Sequence, residues 1–244
     1  MRALCCAGLF AAFFWLGLPS MGMATMLRVS PVTLDLKAPA GASTVTLTND
    51  DNRDITVQLR VFKWVQEGGE DRLVPTREVV ASPPMIKLRS RGEQVVRVVR
   101  TAKSSPTAQE SYRLLVDEVP AKSRASGSGV TFLVRHSVPL FFSPQRTERA
   151  RVGWTARSDG RHFDLIARNR GANRLKVSSL LVKDNRGAVV ARVEGLAGYV
   201  LAGSERRWRF DLPRGISVGG RSVTITAVDD AGPIRADATV RPGG

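Results

Sequence analysis

The chain has 244 residues, 43% of them hydrophobic, and 37 Lys and Arg against 22 Asp and Glu give it a formal charge of +15. Its two cysteines, Cys5 and Cys6, sit in the first few residues, which excludes a disulfide scaffold or a cysteine metal site further along. The excess charge comes mostly from scattered arginines with no basic cluster interleaved with aromatics, which excludes a nucleic-acid reader and favours anionic partners or surfaces.

Residues 1–24 read as an export signal. Arg2 supplies the positive start, Leu9 to Leu18 the apolar run, and Gly22 and Ala24 the small residues before a cut ahead of Thr25. The apolar run is too short for a comfortable span, and no run of about 18 apolar residues follows, so no membrane insertion is expected. Removing Arg2 with the leader lowers the formal charge from +15 to +14.

Short strands are predicted nearly throughout what remains. Leu27 to Leu36, Ser43 to Asn49, Ile55 to Gln66 and Glu93 to Arg100 alternate with period two and are rich in β-branched residues. Gly, Pro, Asn or Asp mark the breaks at Ala38 to Gly41, Asn49 to Asp54, Glu67 to Asp71 and Ser82 to Pro84. A polar stretch at 145–149 then precedes a second series: Val152 to Arg157, His162 to Asn169, Leu175 to Val182, Ala188 to Val193, Arg206 to Leu212, Ser222 to Val228 and Ile234 to Val240. Asn169 to Asn173 and Asp184 to Gly187 read as hairpin turns with positive-φ residues. The spacing indicates an all-β chain of two antiparallel sandwiches, 25–144 and 150–244, joined by the linker 145–149.

One stretch stands apart from the others. In residues 129–143, Val130, Phe132 and Val134 share one face of a strand and Thr131, Leu133 and Arg135 the other. Both faces are largely apolar. Such a strand either lies deep in a sheet or stands at an edge and offers one row of side chains to a partner.

No catalytic or metal signature accompanies these strands. His136 and His162 fall in different sandwiches without a second ligand at zinc spacing, and Asp117 and Glu118, as strand neighbours, point to opposite faces and cannot flank one bond. No cofactor is expected, and an enzyme is disfavoured.

Val130 to Val134 with its continuation Val138 to Phe142, Val57 to Trp64, Ser82-Pro83-Pro84, Ser111 to Pro120 and Gly198 to Leu201 together resemble the periplasmic pilus chaperones of the PapD-like family. The likeness is strongest to the archaic, spore-coat-U-type branch. It implies two immunoglobulin-like domains with a cleft between them, a periplasmic location, pilin or spore-coat-U-type subunits and an outer-membrane usher as partners, and donor-strand complementation as the mechanism. Self-association of the free protein, which would hide the strand, stays open. In this reading Val130, Phe132 and Val134 are the inserted side chains, with His136 or Val138 extending the row. The family's usual cleft arginine and lysine fall on Thr33 and Pro139. Arg113 is then the expected grip on the subunit carboxylate, with Arg135, Lys63, Arg60 and Arg28 as weaker candidates. The family's acidic residue before Val119-Pro120 implies that Glu118 pairs across the domain interface, yet its basic partner falls on Ser143. A secreted immunoglobulin-like fibre subunit is the competing reading; an exported enzyme or carbohydrate-binding sandwich is a third.

Overall fold

The computed structural model of the chain describes residues 27–120, 133–146, 148–212, 214–215 and 217–243. The expected leader and two of the donor positions, Val130 and Phe132, lie outside them. Every regular element among the described residues is a strand.

The strand predicted from Leu27 to Leu36 is two strands, β1 (Leu27–Ser30) and β2 (Leu34–Lys37). Pro31, which lacks an N–H, breaks the ladder between them. Leu27 and Val29 reach the core from one side, Leu34 and Leu36 from the other. β1 joins β3 (Ala42–Asn49), β8 (Glu93–Arg100) and β6 (Val79–Ser82) in a four-stranded sheet ordered β1-β3-β8-β6. β2 joins the facing sheet, β2-β10-β9-β4-β5, made with β10 (Arg135–Ser143), β9 (Glu110–Val119), β4 (Ile55–Glu67) and β5 (Glu70–Pro75), and β7 (Met85–Leu88) also pairs with β4. Val45, Leu47, Val57, Val96, Val98, Tyr112, Leu114, Leu140 and Phe142 pack between the two sheets. The predicted Ser82-Pro83-Pro84 turn carries the chain from β6 in the first sheet to β7 in the second.

β5, β6 and β7 carry no readable period. β5 is exposed at every position, so nothing selects alternation, and β6 and β7 have four residues each.

The second sandwich is one seven-stranded sheet folded round a single core. Its order is β14-β13-β16-β17-β11-β12-β15, from β11 (Val152–Ser158), β12 (His162–Asn169), β13 (Leu175–Asp184), β14 (Val189–Val200), β15 (Glu205–Asp211), β16 (Ser222–Asp229) and β17 (Gly232–Pro242). β17 pairs with β16 along its length and turns its end to β11, so both halves of the sheet share Phe163, Leu165, Val177, Leu180, Val223 and Ile225. The Asp184–Gly187 hairpin forms, with Gly187 at φ +84° and the Ala188 amide on the Asp184 side chain at 2.9 Å.

Asn169–Asn173 is not a hairpin. β12 pairs with β11 and β15, and β13 with β14 and β16, so the segment crosses between the two layers. Its glycine is required by space: a Cβ on Gly171 would stand 2.7 Å from the Arg151 backbone nitrogen. The buried Asn169 side chain holds the crossing, accepting from the Gly171 amide (2.9 Å) and donating to the carbonyls of Asn173 (2.6 Å) and Leu201 (3.1 Å). Asn49 does the same in the first sandwich, accepting from the Asp51 amide (3.1 Å) and donating to the Arg53 (2.7 Å) and Arg89 (2.9 Å) carbonyls. The same pattern, an amide donor at i+2 and a carbonyl acceptor at i+4, thus occurs in each half. Buried backbone groups need such partners.

An aromatic cluster and three polar side chains fix the two halves to each other. Trp64 and Phe141 from the first half pack on Tyr199 and Leu201 from the second. Gln66 donates to the Tyr199 carbonyl (2.8 Å) and accepts from the Leu201 amide (3.0 Å). Gln109 donates its side chain to Ser143 Oγ (2.9 Å) and accepts from the Arg174 amide (3.1 Å). Arg174 pairs with Asp35 (2.7 Å) and lies 3.8 Å over Phe141. Glu118 stands at the opposite end of β9 from this contact, opposite Val134. With Ser143 where the family has a basic residue, it is Gln109, at the other end of β9 from Glu118, that meets Ser143 at the contact between the halves.

Candidate functional site

β10 is the strand in which sequence and architecture meet. Its even positions Val138, Leu140 and Phe142 enter the core of the first sandwich, so Val138 closes the core and is no accessible extension of the donor row. Val134 and His136 belong to the same face by alternation and are half-buried at its rim. His136 Nε2 donates to the Leu27 carbonyl at 2.9 Å, which ties the rim to β1.

The backbone of β10 is half open. The Val134 carbonyl accepts from the Glu118 amide on β9 (3.2 Å), and the Ser143 carbonyl from the Ala38 amide beyond β2 (2.9 Å). Even residues therefore aim their backbone groups at β9 and odd residues at the β2 side. β2 is short: it faces β10 over Leu140–Ser143 and no further. Among the described residues the N–H and C=O of Arg135 and the N–H of Ser137 thus face outward with no strand opposite them, and the Ser137 C=O meets a side chain, Arg113, where a strand would lie. Pro139 has no N–H to leave unpaired, which suits an edge.

The outward face of the same sheet carries the cations. Arg113 on β9 stands between Phe62 on β4 and Pro139 on β10. Its guanidinium lies 3.7 Å over the Trp64 ring and reaches the Ser137 carbonyl at 3.5 Å. No carboxylate among the described residues is within ion-pair distance of it. Burial pushes its pKa down from the ordinary value, and the more distant Asp71 and Tyr199 oppose that only in part.

The other candidates are engaged. Arg135 and Arg60 both hydrogen-bond Asp117, the second at 2.6 Å. Burial alone would raise the Asp117 carboxyl, but the hydrogen bonds from Arg135 and Arg60 outweigh it and hold it below the usual carboxylate range. Arg28 pairs with Asp50 at 3.3 Å. Lys63 sits opposite Tyr112, on the other face of β4 from Arg113, and pairs with Glu78 at 2.9 Å. Hydrogen bonds from Lys63 and Tyr112 in turn hold the Glu78 carboxyl low. The structure therefore brings Arg113 and Arg135 to one face and leaves Lys63 off it. Two members of the site carried no separate signal in the sequence: Trp64, the platform under Arg113, and Asp117, the carboxylate shared by two arginines. The alternation of β4 could have found Trp64, since Phe62, Trp64 and Gln66 share a face with Arg113.

Comparison with known proteins agrees with this architecture. Residues 26–148 match the family model described as pili and flagellar-assembly chaperone, PapD N-terminal domain. Chaperone protein ClpE of Escherichia coli is 30% identical over 116 residues, 46% of this chain and 40% of that protein. Chaperone protein FaeE, also of Escherichia coli, is 28% identical over 131 residues, 52% of this chain and 47% of that protein. The matches thus span about half the length of these curated relatives. Among solved structures, the CsuC–CsuE chaperone–tip adhesion subunit pre-assembly complex from the archaic chaperone-usher Csu pili of Acinetobacter baumannii matches at 25% identity. Its TM-score is 0.67, over 88% of this chain and 98% of that one. The Salmonella enterica SafA pilin–SafB chaperone complex matches in fold at 17% identity and TM-score 0.61, over 88% and 97%. With two immunoglobulin-like sandwiches and a family match over its first half, the chain belongs to the pili and flagellar-assembly chaperones.

Proposed function

We propose that the protein is a periplasmic, non-enzymatic chaperone that caps the incomplete sandwich of a pilin or spore-coat-U-type subunit by donor-strand complementation and delivers it to an outer-membrane usher. The observation that carries the reading is the open edge of β10. Backbone groups of Arg135 and Ser137, which no strand covers among the described residues, supply the ladder that an incoming strand needs. The apolar row Val130, Phe132 and Val134 supplies the side chains, each contributing roughly 1.5 to 3 kcal/mol when fully buried. Alternation fixes the register, because a slip by one would present Thr131, Leu133 and Arg135 to the groove. Arg113, charged and without a carboxylate, takes the subunit's terminal carboxylate, and Arg135 lies nearby on the same face. The test is capture of a co-expressed subunit from the same gene neighbourhood by tagged protein. Wild type should yield a one-to-one complex, and Phe132→Arg and Val134→Asp should lose it while remaining folded. Undiminished capture by both variants overturns the reading, and polymerisation of the purified protein alone would favour the fibre-subunit alternative.

A further inference from the structure

The outer face of β11, β12 and β15 is a second cationic site, remote in sequence from the open edge. Registration of the three strands sets its side chains in a grid. Gly153, Arg168 and Glu205 form one row, Thr155, Ile166 and Arg207 the next, and Arg157, Asp164 and Arg209 the third. Arg170 follows Arg168 at the lip. Asp164 is taken by Arg209 through two hydrogen bonds, of 2.8 and 3.0 Å. Arg157, Arg168, Arg170 and Arg207 are all exposed, and among the described residues none of their side chains has an ion-pair or hydrogen-bond partner. Gly153 contributes no side chain, so the row beside Arg168 is open, and the surface sinks into a groove of about 490 Å³. Ile166 lies at its floor, only 6% exposed.

We propose that this groove docks an acidic segment of a partner polypeptide, with carboxylates on the arginines and a small apolar side chain against Ile166 and Thr155. Four unpaired guanidinium groups around one concavity repel one another unless an anion joins them, and guanidinium grips carboxylate through parallel hydrogen bonds. The groove is concave and of side-chain scale, which a flat bilayer cannot enter. Glu205 beside Arg168 interrupts the cations and disfavours a continuous polyanion such as nucleic acid, whereas a peptide can place its carboxylates to either side of it. A second copy of this chain is disfavoured by the +15 charge that both copies would carry. The site is independent of β10, so its failure would leave the donor-strand reading untouched.

The test is fluorescence anisotropy on the full chain without any subunit. The probes are a labelled peptide Asp-Glu-Leu-Asp-Glu, its amide counterpart Asn-Gln-Leu-Asn-Gln, a labelled oligothymidine, and vesicles of seven parts phosphatidylcholine to three parts phosphatidylglycerol. The acidic peptide should bind and the amide peptide should not. Arg168→Glu with Arg207→Glu should weaken binding at least tenfold, and Arg72→Glu, an exposed arginine on β5, should change it less than twofold. Equal loss in Arg72→Glu reduces the effect to net charge and overturns the proposal. So does tighter binding of the oligonucleotide or vesicles that the double variant abolishes, which would reassign the groove to phosphate.

Discussion

Replacing Arg113 by methionine separates function from stability in a way the geometry makes quantitative. The methionine keeps an apolar stem on Trp64 but removes a guanidinium that is partly buried with no carboxylate partner. The free protein loses a cation–π contact of about 0.5 to 2 kcal/mol. It also escapes the cost of desolvating an unpaired charge, of the same order and opposite sign. Unfolding in urea should therefore shift by no more than about 1 kcal/mol in either direction. The subunit complex has no such compensation, because hydrogen bonds to a charged group contribute about 1.5 to 3 kcal/mol. Subunit affinity should fall roughly 10- to 150-fold. Titration of purified subunit, kept soluble by competing chaperone, measures the affinity, and circular dichroism in urea measures the fold. Lys63→Met is the matched control, since Lys63 lies on the opposite face with Glu78, and it should leave affinity within a factor of about two. Undiminished affinity in Arg113→Met, or an equal loss in Lys63→Met, would refute the assignment of the anchor to Arg113.

Other consequences follow from named contacts. Ser137→Pro removes a backbone donor on the open side of β10 while sparing the ladder to β9, so it should abolish subunit capture with little change in melting temperature; retained capture would show that the edge is not used. Asp117→Asn should cost about 1 kcal/mol at neutral pH, because its two arginines are substantially exposed. The folded-state pKa of Asp117 lies below its unfolded value, so its contribution is complete above the unfolded pKa and disappears as pH falls through the folded one. The gap between wild type and Asp117→Asn in urea midpoint should accordingly close in acid, and a gap constant down to about pH 2 would contradict this. Asn169→Ala strands the Asn173, Val200 and Leu201 carbonyls and the Gly171 amide, and should cost roughly 2 to 4 kcal/mol in urea unfolding. Gln66→Leu should loosen the two halves, read as faster hydrogen exchange at Leu201 with the core amides unchanged.

Several things were legible in the residues themselves. Period-two alternation between Gly, Pro and Asn breaks identified most of the strands, since a sheet with one buried face imposes that period on any sequence that forms it. The apolar row at Val130 to Val134 is a local pattern of the same kind, whereas Arg113 is pointed to by the family resemblance and by no local pattern. Tertiary structure decided the rest. Pro31 says that a ladder is interrupted, but only the presence of two sheets sends Leu27 to one and Leu34 to the other. β5 is exposed throughout and β6 and β7 are too short to show a period, so pairing partners alone make them strands. Asn169 to Asn173 has hairpin composition, and it becomes a crossing because its amide finds carbonyls some thirty residues away. Which cation is free also depends on the whole fold. A sequence lists Arg113, Arg135, Arg60 and Lys63 as equals, whereas strand register delivers Asp117 to two of them and Glu78 to the third. It leaves Arg113 on an indole ring beside a stretch of β10 that no described strand covers, because ion pairing depends on distances that distant segments set.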